Sequence, residues 1–577
     1  MHGRPGARAM SQEAVLDLAA IWLRRAEWQP TLFANELRRL DLLKLEPGWP
    51  CEPFHLRIHR NQAFEFVASV LGPFLAFGGR RAEIAYSDYD DSLALHVEGR
   101  ADVDLLWLDF ERYRDRLAPR ELVAWLLERV QSLRARSEAP ILVADCAATD
   151  AAAQELNDGL RNLAQVVPGV RIVPLSQIGA ELGARTFDRR AARVTGMTLS
   201  DAACLRAARA LGLVWLPAAL APRLKAIALD LDNTLYSGVL GEDGPAGLQL
   251  TAMHLELQRK LLRLREQGVF LALASRNEKV DVDRLFAERP DMPLRPEHFS
   301  ATSIAFRAKA SGLREIAAEL RIGVDALLFV EDNPGEMAVV ATEVPGVKML
   351  HAADPALTAR ALDFYPGLQG YPPGRDDLRR VADVAASAQR EQAARSAQSP
   401  EAYLRSLEVV LTFATNRRAD LERLAELSNK TNQFNTAFLR LSEAQVAKRL
   451  ADPLCRTISV SLRDRLSDSG IVGALFLRQA SSTLVADEIV ISCRALGRNV
   501  EHAIVTEALR RALEELPASE VRFAFREGPR NGPARAFLAE YAGRAPGADG
   551  VSVSWDPGRA ARLFERLPVT VVHEEGS

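Results

Sequence analysis

The sequence predicts an α/β protein that closes with a mixed α+β region, on three observations. From His55 to about residue 180, short apolar runs (AEIAYSD, VDLLWLDFE, APILVADC, VRIVPLSQI) alternate with helical segments, the pattern of a largely parallel sheet. Between residues 223 and 370 comparable runs return, and each ends in polar chemistry: AIALDLDNT, GVFLALASRNE and ALLFVEDNP. After Glu401 strand-like runs follow one another as TISVSLRD, GIVGALFLRQ and LVADEIVISC.

Composition bounds the rest. A chain of 577 residues is too long for a single core, and a prior of about 150 residues per domain gives roughly three or four. Residues 1–180 are read as an N-terminal α/β domain, 181–222 as a helical connector, 223–370 as a second α/β domain, 371–400 as a linker and 401–577 as the C-terminal α+β domain. Hydrophobic residues at 48% and charged residues at 26% are ordinary for a globular chain. Net charge is −3 and arginine is spread through every region, so no basic field marks a nucleic-acid or anionic-membrane partner. The opening stretch MHGRPGARAMSQEAVL lacks the apolar core and small-residue cleavage site of a secretory signal. The most apolar stretches, such as Leu211 to Pro222, fall short of the roughly 20 residues that span a bilayer. Cys51, Cys146, Cys204, Cys455 and Cys493 are scattered without metal-ligand spacing, and a reducing cytoplasm is the expected location.

Taken in order, residues 12–45 carry apolar positions at helical spacing, with Pro30 expected to interrupt the helix. Asp88, Asp90, Asp91 and Asp109 fall at or near strand ends in the first α/β domain. They read either as a second site or as turn residues whose side chains bond the local main chain. In the second α/β domain, the intervals from Asp232 to Ser275 and from Ser275 to Lys309 must each hold a core helix, which leaves little length for a separate lid. An open site suits a protein-borne substrate. LYSGVLGEDG, with glycines at 238, 241 and 244, is a short flap beside that site. GYPPGRDD marks a boundary and residues 374–397 a polar helical stretch.

Two helices then flank SNKTNQFNTA, the second opening with Ser442 and Gln445 at capping-box spacing. Arg494 to Asn499 form a turn before an amphipathic helix. Amides at a helix N-terminus bind anions, and Gly497 permits close approach. Cys493 stands immediately before that turn. As a single cysteine it reads as a small buried hydrophobe; beside Arg494 and a helix N-terminus it reads as a nucleophilic thiolate.

The chemistry concentrates in the second α/β domain. The run Ala226 to Leu229 ends in Asp230 and Asp232, which alternation turns to one face at the C-terminal end of a buried strand. An isolated pair of this kind also suits a solvated turn. As a site the pair splits the work, in that one carboxylate attacks phosphorus and the other delivers a proton to the leaving oxygen. Ser275 ends the next run with a hydroxyl able to hold a phosphoryl oxygen, and Asn277 follows it. Lys309 brings a point positive charge beside a helix. Glu331 and Asp332 end a further strand, and two or three acids at strand ends make a hard oxygen site suited to Mg²⁺.

This ordered set resembles the haloacid dehalogenase (HAD) superfamily. The resemblance implies a Rossmann-like domain in which Asp230 forms an aspartyl-phosphate and Asp232 is the general acid and base. Ser275 and Lys309 would hold the phosphoryl group, and Asp332 would complete a Mg²⁺ site with Asp230 and the carbonyl of Asp232. Glu331 stands where many relatives have Asp. The preceding domain resembles the SGNH-hydrolase fold without its Gly-Asp-Ser block, since the chain reads HLRIHRNQAF, so no hydrolysis is expected there. RALGRN resembles the coenzyme A loop of the acetyltransferase (GNAT) fold, with Asn499 in place of a last small residue, and NGPARAFLAEYAG resembles that fold's last helix.

Together DLDNTLYSGVLGEDG, ALASRNE, FVEDNP, LSNKTNQFN and SCRALGRNVE resemble the FkbH-like family of HAD proteins, with Tyr236 and Ser237 where Trp-Gly is common. That resemblance implies an enzyme that takes the small phosphorylated acid 1,3-bisphosphoglycerate, removes phosphate, and loads a glyceryl group onto the phosphopantetheine arm of an acyl carrier protein for polyketide or related biosynthesis. Cys493, with Arg494 and Gly497 beside it, is the candidate thiol for carrying the acyl group. Two other readings stand beside it: a free-standing phosphatase of small metabolites, and a non-catalytic assembly-line docking protein.

Overall fold

The computed structural model describes residues 12–370, 375–496, 498–556, 558, 562–563 and 567–574. The chain divides into two compact units, residues 1–372 and 373–577.

The first unit holds two five-stranded sheets in which every neighbouring pair is parallel. In one, β1 (Glu52–Arg60), β2 (Arg80–Tyr89), β3 (Val103–Trp107), β4 (Ile141–Ala144) and β5 (Val170–Val173) stand in the order β2-β1-β3-β4-β5. In the other, β6 (Ala226–Leu229), β7 (Phe270–Ser275), β8 (Phe299–Ile304), β9 (Leu327–Glu331) and β10 (Lys348–His351) stand in the order β10-β9-β6-β7-β8. β3, β4, β6, β7 and β9 are buried throughout, which is why they read as unbroken apolar runs. The second sheet grows from β6 first to one side and then to the other. Its switch point therefore falls between β6 and β9, where open α/β sheets gather their ligands.

The helix Gln12–Leu32 lies against the helix Pro334–Glu343. Edge-on rings Phe33, Phe77 and Tyr365 join the two halves of this unit in one apolar core. Pro30 does not interrupt the first helix as expected: it sits in the last turn, and the N–H of Phe33 still reaches the Gln29 carbonyl at 2.9 Å.

A second correction concerns the connector. Asp201–Leu220 is one 20-residue helical run, long and apolar enough to cross a membrane by length and composition; an 18-residue stretch of it has a mean hydropathy of 1.4, and 67% of that stretch is buried inside the protein. It passes through a π-helical turn, Ala210–Trp215, where a side chain at Gly212 would come within 2.6 Å of Phe74. The glycine is what lets this helix meet the helix Glu65–Phe77 so closely.

The second unit contains one mixed sheet of eight strands: β11 (Val410–Thr415), β12 (Phe434–Asn435), β13 (Cys455–Arg463), β14 (Asp468–Ala480), β15 (Thr483–Ile491), β16 (Glu520–Phe523), β17 (Val551–Ser554) and β18 (Thr570–Glu574). Their order is β17-β16-β15-β14-β13-β11-β18, with β12 paired on β15. The β15–β16 and β11–β18 pairs are parallel, and the helix Glu501–Glu515 makes the crossover from β15 to β16. The stretch read as a polar linker forms the helix Arg375–Ser396, which packs within this unit. Its Arg390, 6% exposed, reaches Asp464 at 2.8 Å and Asp383 at 3.0 Å. Residues 371–374 of the boundary motif lie outside the described residues.

Candidate active site

The second sheet places its polar strand ends at one level. Leu229 is in register with Leu273 of β7 and Val330 of β9, and the Asp230 N–H donates to the Val330 carbonyl at 3.0 Å. Asp230, Ser275 and Glu331 therefore leave adjacent strands close together. Beyond Asp230 the chain turns through Asn233, which takes a left-handed φ of +52°. The Asn233 side-chain oxygen accepts the Gly238 N–H at 3.0 Å, and Ser237 pairs with Gln249 to close the flap. Gly238 has φ +115°, and a side chain there would lie 2.8 Å from the Asp243 carboxylate.

Asp232 is held from both sides. Its Oδ1 accepts the Tyr236 hydroxyl at 2.8 Å and the Leu240 N–H at 3.0 Å, and its Oδ2 accepts the Asn277 amide at 2.8 Å. Asn277 also donates to Ser275 Oγ at 3.0 Å, so the hydroxyl and the second aspartate share one anchor. Tyr236 is 1% exposed, and burial together with the Asp232 carboxylate raises its phenol far above the usual range. Its role was not legible from the sequence. The available signal was a tyrosine four residues after Asp232, in the flap.

Charge is concentrated a few ångströms away. Lys309 opens the helix Lys309–Glu319, with its Nζ 2.8 Å from Asp230 and 2.6 Å from Glu331. Carboxylate oxygens of Asp230, Glu331 and Asp332 lie within 4.8 Å of one another, the one such acidic group among the described residues that could hold a metal. Burial pushes Asp230 up to about 6 in spite of Lys309, and burial with the Asp230 charge pushes Glu331 up to about 8. Burial alone would lower Lys309, but its two carboxylates hold it above the ordinary value. Three buried or half-buried carboxylates beside one ammonium leave an excess of negative charge. Closely spaced oxygen donors with that excess fit a small hard cation such as Mg²⁺. Glu331 is more than a spare ligand, because its other oxygen accepts the Asn333 N–H at 3.1 Å. Asn333 in turn caps the helix Pro334–Glu343, and the Asp332 carbonyl meets His351 Nε2 at 2.9 Å.

The structure thus brings together seven residues singled out in the sequence: Asp230, Asp232, Ser275, Asn277, Lys309, Glu331 and Asp332. The remaining candidates belong to the second unit. Cys493 is half-buried in the turn two residues past β15, and Arg494 is 9% exposed. Gly497 lies outside the described residues. The turn was expected to offer backbone amides to an anion, and its Arg498 lies buried, 2% exposed, 3.0 Å from Asp383 and 3.4 Å from Asp464.

No family model and no curated protein matches the chain. Among solved structures it is similar to the N-terminal part of the protein BF1531 from Bacteroides fragilis, described as containing a phosphatase domain complexed with Mg, at 20% identity over 55% of this chain and 95% of that one, TM-score 0.45. A HAD family enzyme from Bacteroides thetaiotaomicron, complexed with magnesium and inorganic phosphate, matches at 15% identity over 23% of this chain and 96% of that one, TM-score 0.17. A GCN5-related glucosamine N-acetyltransferase region of a fungal multi-domain β-N-acetylglucosaminidase matches at 12% identity over 92% of this chain and 67% of that one, TM-score 0.16. These likenesses are weak, and the chemistry proposed below is drawn from this chain's own residues.

Proposed function

We propose that the first unit is a Mg²⁺-dependent phosphoryl-transfer enzyme of the HAD type with Asp230 as its nucleophile. The observation that supports it best is the convergence of Lys309, Glu331 and Asp332 on Asp230, with Asp232 fixed beside them. An Asp230 oxygen attacks phosphorus, the bond from phosphorus to the ester oxygen breaks, and Asp232 gives that oxygen its proton. Asp232 then takes a proton from a water molecule whose oxygen attacks the aspartyl-phosphate, which releases inorganic phosphate and restores Asp230. Ser275 Oγ and Lys309 Nζ hold phosphoryl oxygens through both steps. Mg²⁺ held by Asp230, Asp332 and the Asp232 carbonyl would supply positive charge to the transferring group.

The FkbH-like motifs extend the proposal to the whole chain, with an SGNH-like N-terminal domain and a GNAT-like C-terminal domain. The substrate is then 1,3-bisphosphoglycerate in the cytoplasm. The Cys493 thiolate attacks the C1 carbonyl and expels the C1 phosphate, which forms a thioester without ATP. The Asp230 site hydrolyses the C3 phosphate ester. The phosphopantetheine thiol of an acyl carrier protein takes the glyceryl group by thioester exchange, for polyketide or related biosynthesis. Intact-protein mass spectrometry of holo carrier protein with enzyme, Mg²⁺ and the acyl phosphate tests this: the carrier gains the mass of a glyceryl group, and Cys493→Ala abolishes the enzyme-bound intermediate. Phosphate release with no gain on any carrier favours the stand-alone phosphatase. One observation supports that second reading: the phosphoryl-transfer residues all lie in the first unit.

A further inference from the structure

The first unit contains a cavity of about 540 Å³ that none of the proposed catalytic residues lines. Its walls come from the end of β5 with the helix Leu175–Leu182, from Asp201–Leu220, and from the helices Ala252–Glu266 and Pro355–Phe364. A volume in the range of about 300–1,000 Å³ is that of small-ligand sites.

The lining is unevenly charged. Arg206, Arg209, Lys260 and Arg263 face two carboxylates, Glu181 and Asp363. Arg206 pairs with Glu181 at 2.6 Å and Lys260 with Asp363, whereas Arg209 and Arg263 have no carboxylate within ion-pair distance among the described residues. Arg209 is only 5% exposed. It donates to the Ala34 carbonyl at 2.7 Å and lies 4.1 Å from the centre of the Phe364 ring, and its Nε–H is buried without an acceptor. A buried guanidinium with so little compensation is costly to the fold.

We propose that this cavity binds an organic phosphate, a phosphomonoester whose charge matches Arg209 and Arg263 and whose body lies against Trp215 and Phe364. Such a group carries about −1.5 to −2 at neutral pH, which equals the surplus of positive charge, and a guanidinium fork takes phosphate oxygens two at a time. Trp215 and Phe364 supply the apolar wall.

The test is calorimetric titration of the full chain, in EDTA, with phenylphosphonate, whose P–C bond the active site does not hydrolyse. One saturable site is expected, weakened at least about tenfold in Arg209→Gln and in Arg263→Gln, the scale of one lost charge-assisted contact. Lys309→Met binds the probe as the parent does, and Arg263→Gln releases phosphate at the parental rate. Absence of saturable binding, or binding indifferent to Arg263→Gln, overturns the proposal. Loss of binding in Lys309→Met protein that keeps the parental circular dichroism in EDTA overturns it too, by assigning the probe to the catalytic site. Arg263 is exposed, so its variant decides the matter if Arg209→Gln fails to fold.

Discussion

The two parallel sheets of the first unit are built alike, yet the acids at their strand ends do different things. Beyond the first sheet the carboxylates are taken up by local donors. Asp90 accepts the Ser92 and Ala94 N–H groups at 2.8 and 2.7 Å, Asp109 the Glu111 N–H at 3.1 Å, and Asp145 the Ser176 N–H and hydroxyl at 2.7 and 2.6 Å. Asp91 faces Arg112 at 3.3 Å. Asn61, just past β1, accepts the Asp109 N–H at 2.7 Å and donates to its carbonyl at 3.3 Å. Asp90 and Asp109 there serve as turn and cap residues, the second of the two readings the sequence allowed for them, and Asp91 is held in an ion pair. At the ends of the second sheet the Lys309 ammonium lies between Asp230 and Glu331, and the Asp332 carboxylate joins those two acids within 4.8 Å. Acid at a strand end marks chemistry only where carboxylates converge instead of closing turns.

The sharpest way to break that contrast is Asp230→Asn. It removes the proposed nucleophile while keeping the shape, and phosphate release measured with Mg²⁺ should fall by at least about 10³-fold. Lys309→Met should lower the same rate by roughly 10²–10³-fold. It also leaves buried carboxylates without their partner, so the metal-free protein should lose about 3–5 kcal/mol in urea unfolding, with part of the loss recovered on adding Mg²⁺.

In the first sheet the effects should appear in stability alone. Asp104, fully buried on β3, is bonded by Arg57 at 2.6 Å, Ser137 at 2.6 Å and His59 at 3.1 Å. Burial would raise its pKa, but His59, Arg57 and Ser137 bring it down to about 2. A carboxylate depressed in the folded state adds stability above its unfolded pKa and loses it as pH falls through the folded one. Between about pH 4 and pH 2 thermal unfolding should therefore show a loss of about 2 kcal/mol from this group, absent in Asp104→Asn. Smallest of all, Asp109→Ala should cost about 1 kcal/mol as a lost cap and leave phosphate release unchanged.

Much of the second sheet was legible because buried parallel strands announce themselves as apolar runs, and the runs that became β6, β7 and β9 each led into polar residues. DLDNT, Ser275, Lys309 and the acids at the end of β9 could be read from the sequence alone. What the sequence concealed lay in contacts between distant segments. Glu331 read as an acid near a metal, whereas Lys309, 22 residues earlier, binds it directly. Asn277 reaches Asp232 across 45 residues. Periodicity says which face a side chain takes, not which distant group it meets. The helix Arg375–Ser396 read as a linker for the same reason: its polar composition hides Arg390 and Asp383, buried through mutual pairing.

The most direct test is an acid quench after mixing the full chain with Mg²⁺ and a ³²P-labelled phosphomonoester that it turns over. Label should appear on the peptide that carries Asp230, chase into inorganic phosphate, and be absent from Asp230→Asn. Turnover with no labelled protein at any time, or label that persists in Asp230→Asn, would contradict the assignment of Asp230 as the nucleophile.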